Sequence, residues 1–123
     1  MIGYVTIGTN DYEKSKAFYE KALAALNIRK TFSNDHLQGY GVKGQSGSLA
    51  ICKPHDGKRA TGGNGTMVAL TAPSREVVDK VYGDAIAAGA TDEGKPGLRG
   101  DTFYGAYFRD ADGNKICVFT MGS

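Results

Sequence analysis

Cys117, His36, His55 and Tyr4 carry side chains of this sequence suited to covalent or proton-transfer chemistry. A nucleophilic cysteine needs a neighbour that lowers its pKa, and no histidine stands beside Cys117 in sequence. Free cysteine is also among the most buried residue types, so a small apolar packing role competes with reactivity at Cys117. His36 lies in the polar run Asn34-Asp35-His36 and His55 between Pro54 and Asp56, contexts typical of solvated surface histidines rather than of general bases. Tyr4 offers a hydroxyl to orient a ligand or act as a weak acid, and equally reads as a β-former packing on its neighbours. Arg99 and Arg109 could pair with an anionic ligand, or simply be solvated. Asp110-Ala111-Asp112-Gly113-Asn114 begins like a calcium loop, but its glycine comes too early, and the composition is that of a tight turn.

Bulk properties remove several function classes. The chain has 123 residues, 41% of them hydrophobic, enough to build one domain with a real core. The formal charge is +2 and the basic residues are scattered, which gives nucleic-acid binding little support. Two cysteines without Cys-x-x-Cys spacing suggest neither a zinc ribbon nor a disulfide framework, and both are expected as free thiols. No apolar run approaches the ~18 residues of a membrane span, and the start Met1-Ile2-Gly3-Tyr4 lacks a signal-peptide layout. A cytoplasmic protein that uses no membrane is the expectation.

The elements that must position these residues come as a repeat. Tyr4 to Gly8 alternates as a strand, Asn10-Asp11 offers a cap, and a helix is predicted over Tyr12 to Leu26, with Ala17, Phe18, Ala22, Leu23 and Leu26 on its buried face. Thr66 to Leu70 is again strand-like, and Ser74 caps a helix running to about Ala88 on Val77, Val78, Val81, Ala85 and Ile86. Shifting one segment onto the other pairs Tyr4 with Met67, Glu13 with Glu76, Tyr19 with Tyr82 and Ala22 with Ala85. Hairpin strands follow each helix: Phe32 to Leu37, Gln38 to Val42 and Ser48 to Cys52, then Thr91 to Glu93, Thr102 to Arg109 and Lys115 to Thr120. The predicted architecture is one α+β domain over 1–123: two tandem βαβββ modules, about 1–54 and 64–121, joined by a Gly-rich linker at 55–63 and forming a half-open, barrel-like mixed sheet. The linker glycines follow no phosphate- or dinucleotide-binding order. Aligning Gly47 to Ile51 with Gly113 to Cys117 adds Ile51 and Cys117 to Tyr4 and Met67 as four matched positions lining a cavity between modules. On the strand Phe103 to Phe108, either Tyr104 and Phe108 or Phe103 and Tyr107 face inward together. Tyr104 and Phe108 join Tyr4, Ile51, Met67 and Cys117 as the expected ligand-binding set.

The segments Asp11 to Tyr19, Asn64 to Leu70 with Ala72 to Glu76, and Tyr104 to Ile116 together resemble the vicinal oxygen chelate superfamily, which includes glyoxalase I, bleomycin-resistance proteins, fosfomycin-resistance enzymes and extradiol dioxygenases. The resemblance covers nearly the whole chain. It implies paired βαβββ modules, usually a homodimer, and a divalent metal in the catalytic members. Those members carry His or Gln on the two opening strands and Glu on the two closing strands. Tyr4, Met67, Ile51 and Cys117 do not form a ligand set for Zn, Ni, Mn or Fe, so no metal or other cofactor is expected. The resulting expectation is metal-independent binding of a small aromatic or amphipathic molecule, with Met67 as a flexible apolar wall. The alternatives are a lactoylglutathione-lyase-like or other lyase, isomerase or transferase using Tyr4 and Cys117, and an interaction domain whose cavity is filled by its own side chains.

Overall fold

Helix capping sets the first module. In the computed structural model, which describes residues 1–122, the Asp11 carboxylate accepts from Lys14 N at 3.1 Å and starts helix α1, Tyr12–Ala22. The expected helix is split here. Its last turn, Ala24–Leu26, tightens into 3-10 form and stops at Asn27, whose left-handed backbone (φ 58°, ψ 41°) turns the chain straight into a strand. Strand β2 therefore begins at Ile28 and ends at Ser33, earlier than its alternation suggested, and Asn34 bonds His36 N to close the turn that follows. The second module starts alike: Ser74 Oγ accepts from Val77 N at 3.2 Å and caps α2, Arg75–Ala87.

The remaining strands are β1 Tyr4–Gly8, β3 Leu37–Val42, β4 Ser48–Cys52, β5 Val68–Thr71, β6 Thr91–Leu98, β7 Phe103–Arg109 and β8 Lys115–Met121. They form two four-stranded mixed sheets, ordered β1-β4-β3-β2 and β5-β8-β7-β6. The opening strand lies parallel to the closing strand in each, and the other pairs are antiparallel. The fold is thus α+β, two tandem βαβββ modules whose sheets do not close into a barrel.

The core lies between the sheets' inner faces and the two helices, which pack on each other. Tyr19 and Ala22 of α1 and Val78, Val81 and Ala85 of α2 meet Ile7, Tyr40, Leu49, Ile51, Ala106, Phe108, Ile116 and Val118 of the strands. Ala17, expected on the buried face, is exposed instead, and Tyr19 takes the buried place.

A polar network crosses from one module to the other. The buried Asp110 carboxylate accepts from Tyr19 OH at 2.6 Å and from the Asp112 N–H, the Asn114 N–H and Asn114 Nδ2, each at 2.9 Å. Asn114 Nδ2 also donates to the Gly8 carbonyl, and Asn10 N donates to Asp112 Oδ1. Residues 53–67 carry no helix or strand, yet they are held: the Asn10 side chain bonds both the N–H and the carbonyl of Ala60. At Gly62 any side chain would run into the Gly113 carbonyl, so the connection packs directly on the Asp110 turn.

Candidate functional site

Alternation fixes which side chains leave the helix-covered face of each sheet. In the second sheet Tyr107 stands opposite Cys117 and Gly105 opposite Phe119. Phe108, Ala106, Ile116 and Val118 are buried in the core, so Phe103, Tyr107, Cys117 and Phe119 lie on the outer, concave face. The rings of Phe103 and Phe119 stack there, centroids 4.9 Å apart and 8° from parallel. Glycines hold this floor flat. A Cβ at Gly105 would come within 2.7 Å of the Phe103 ring, and one at Gly94 within 2.9 Å of the Tyr107 ring. Arg99 lies across Tyr107 with its guanidinium carbon 5.4 Å from the ring centroid, anchored by a 2.6 Å bond from Nη2 to the Lys95 carbonyl. Lys115 Nζ sits 5.5 Å from the same centroid. Arg109 is taken up by Glu93, at 2.5 Å, and by the Gly113 carbonyl.

The Cys117 thiol is fully buried beside Tyr107. Burial pushes its pKa up, outweighing the opposing pull of the Tyr107 hydroxyl and the Arg99 and Lys115 charges. At neutral pH it is a protonated thiol, the reverse of an activated nucleophile. Burial likewise raises the Tyr107 phenol.

In the first sheet Tyr4 stands on the outer face, 56% exposed, edge-on to Phe32 with centroids 5.2 Å apart. The floor beside it is small-residue surface: Ala50 pairs with Thr6 and with Gly39, against which the Phe32 ring leans.

Three expected site residues need correcting. Ile51 is fully buried on the helix side, paired with Ile7. Cys117 pairs with Ala69, two residues beyond Met67, and the same offset beyond Tyr4 leads to Thr6 and its partner Ala50. The repeat therefore matches Cys117 with Ala50, and the alignment on Gly47 and Gly113 was one residue off, which on a strand exchanges the faces. Tyr104 and Phe108 also point to the helices. The Tyr104 hydroxyl donates to Asp79 Oδ1 of α2 at 2.6 Å, and Phe108 packs against Phe18 of α1. The opposite pair, Phe103 and Tyr107, shares a face with Cys117.

The described residues do not bring Tyr4, Met67 and Cys117 into one enclosed cavity. A groove of about 410 Å³ between the modules opens on the other side of the first sheet, lined by Val5, Leu26, Ile28, Tyr40 and Leu49 against Met67 to Thr71, and neither Tyr4 nor Cys117 reaches it. A second cleft, about 470 Å³, lies along α1 beside Arg59 and the Asp110 turn. Both histidines are exposed.

A family model described as Glyoxalase/Bleomycin resistance protein/Dioxygenase superfamily matches residues 1–118. The crystal structure of a glyoxalase/bleomycin resistance protein from Albidiferax ferrireducens T118 is 38% identical, with a TM-score of 0.91 over 99% of both chains. This chain belongs to the glyoxalase/bleomycin resistance protein/dioxygenase superfamily. A glyoxalase/bleomycin resistance protein/dioxygenase family enzyme from Burkholderia phytofirmans PsJN shares the fold at 22% identity, with a TM-score of 0.78 over 98% of both chains. TioX from Micromonospora sp. ML1 shares it at 13% identity, with a TM-score of 0.72 over 99% of both chains. No curated protein matches the chain.

The superfamily's metal chemistry sets a test for these residues. The four positions at which the resemblance puts the ligands of metal-using members read Tyr4, Met67, Ala50 and Cys117 in the observed register: a phenol, a thioether, a methyl group and a protonated thiol. Such a set does not fit a divalent ion that is held by imidazole and carboxylate. Among the described residues no three His, Cys, Asp or Glu side chains gather into a metal-holding group elsewhere. Among the described residues no helix is long and apolar enough to cross a membrane.

Proposed function

We propose that this superfamily member binds a small aromatic or amphipathic molecule on its concave sheet face without a metal. One observation carries the reading: where metal-using relatives place imidazole and carboxylate, this chain has Tyr4 and Ala50 on the first sheet and Met67 and Cys117 on the second, whose concave face also carries Tyr107 and the stacked Phe103/Phe119 pair. Rings offer a planar ligand area and stacking at little cost in side-chain entropy. Thiol catalysis draws less support, because Cys117 is buried and protonated and Tyr4 stands on the other sheet.

A homodimer completes the proposal. Strands β1 and β5 are sheet edges flanked by the exposed apolar side chains Ile2, Tyr4 and Met67, and a second copy covering them would enclose the concave faces. The test is calorimetric titration of the chelator-treated protein with Zn, Ni, Mn and Fe ions, its mass being read by sedimentation in the same samples. No tight stoichiometric metal site and a dimer mass are expected. A submicromolar metal site overturns metal independence, and a monomer at tens of micromolar overturns the dimer.

A further inference from the structure

We infer that the ligand of the concave face is a planar aromatic anion, its ring on the Phe103/Phe119/Tyr107 floor and its negative charge between Arg99 and Lys115. This rests on the aromatic-binding reading above and adds the sign of the ligand's charge.

Charge accounting on that face is one-sided. Among the described residues four ion pairs form, and neither Arg99 nor Lys115 takes part in any of them. Both nonetheless lie over one ring, Tyr107, at 5.4 and 5.5 Å from its centroid. Glu93, the carboxylate in ion-pair contact with this face, is consumed by Arg109. Asp92 on the neighbouring strand lies on the helix side and is engaged by the Tyr82 hydroxyl and the Gly94 N–H. On the first sheet, Arg29 stands opposite Gly41 on the corresponding face and adds a further cation without an ion-pair partner.

Geometry makes the arginine a built feature. Its guanidinium lies where a side chain at Gly94 or Gly97 would stand: a Cβ at these positions would come within 3.2 Å of Nη2 and 3.1 Å of Nη1. Its bond to the Lys95 carbonyl fixes the fork while leaving other N–H donors uncommitted. A preorganised guanidinium of this kind suits a carboxylate, sulfonate or phosphate, and the neighbouring ammonium adds a point charge. Two unneutralised cations beside a flat apolar floor would repel a cationic aromatic and give a neutral one nothing for its charge-binding groups to meet.

The test uses three ligands of one shape on the metal-free full-length protein at low ionic strength: 2-naphthoate, 2-naphthamide and 2-naphthylmethylammonium, measured by isothermal titration. Naphthoate is expected to bind about tenfold tighter than the amide, with the ammonium weakest. R99Q and K115Q should each weaken naphthoate binding about three- to tenfold and leave the amide unchanged; Arg99 is exposed, Lys115 is half-buried and neither gives up an ion pair, and a urea midpoint near the parent's checks that each variant is folded. Equal affinity for acid and amide, or variants that weaken both alike, overturns the charge assignment and leaves the aromatic-binding reading standing. Failure of all three ligands to bind overturns both.

Discussion

D110A should unfold with a stability lower than the parent's by about 3–5 kcal/mol, read as a fall in urea midpoint at unchanged m-value. Asp110 is 7% exposed and takes four hydrogen bonds: one from α1, two from backbone N–H groups of its own turn, and one from the Asn114 amide, which also holds the Gly8 carbonyl. Removing the carboxylate strands the Tyr19 hydroxyl and the Asn114 donors in the interior, each at a cost of about 1–3 kcal/mol. Y19F removes one donor and should cost about 1–3 kcal/mol, and the double variant should cost less than the two single losses added, because both act through one bond. A loss below about 1 kcal/mol for D110A would show that water replaces the network and that it does not join the modules.

F108A should cost about 3–5 kcal/mol while leaving ligand affinity close to the parent's in the folded fraction. Y107A should do the opposite, costing at most about 1 kcal/mol and abolishing tight binding of the aromatic ligand. The two residues are neighbours on β7 with opposite fates. Phe108 is fully buried against Phe18 and the helices, whereas Tyr107 is half-buried on the concave floor between Gly94 and Cys117. Equal stability losses for the two variants would show that the face assignment of β7 is wrong.

That assignment marks where the sequence was readable and where it was not. The βαβββ repeat was legible because caps and apolar spacing are local: Asp11 and Ser74 cap as their types suggest, and Val78, Val81 and Ala85 are buried as a period of 3.6 requires. The end of α1 was not, because Asn27 stops it through a left-handed residue inside an apolar, helix-like run. Tyr19 was missed as a core residue because its hydroxyl is satisfied by Asp110, a partner distant in sequence. The site was half legible. Pairing Arg109 with Lys115 across the Asp110–Asn114 turn places Tyr107 opposite Cys117 and decides which aromatics share its face. Ile51 is misplaced by the alignment that starts from Gly47 and Gly113. Matching core residues instead, Ile51 with Val118, gives the correct register. The pairing of Arg99 with Tyr107 is not legible in the sequence, since β6 and β7 meet through a register irregularity between Gly94 and Gly97.

Heteronuclear NMR of the metal-free protein titrated with 2-naphthoate tests the central claim most directly. Shifts concentrated at Phe103, Tyr107, Cys117 and Phe119 are predicted, without added metal. Shifts centred instead on Tyr40, Leu49 and Val68 of the groove between the modules, or binding that appears only after Zn is added, would contradict it.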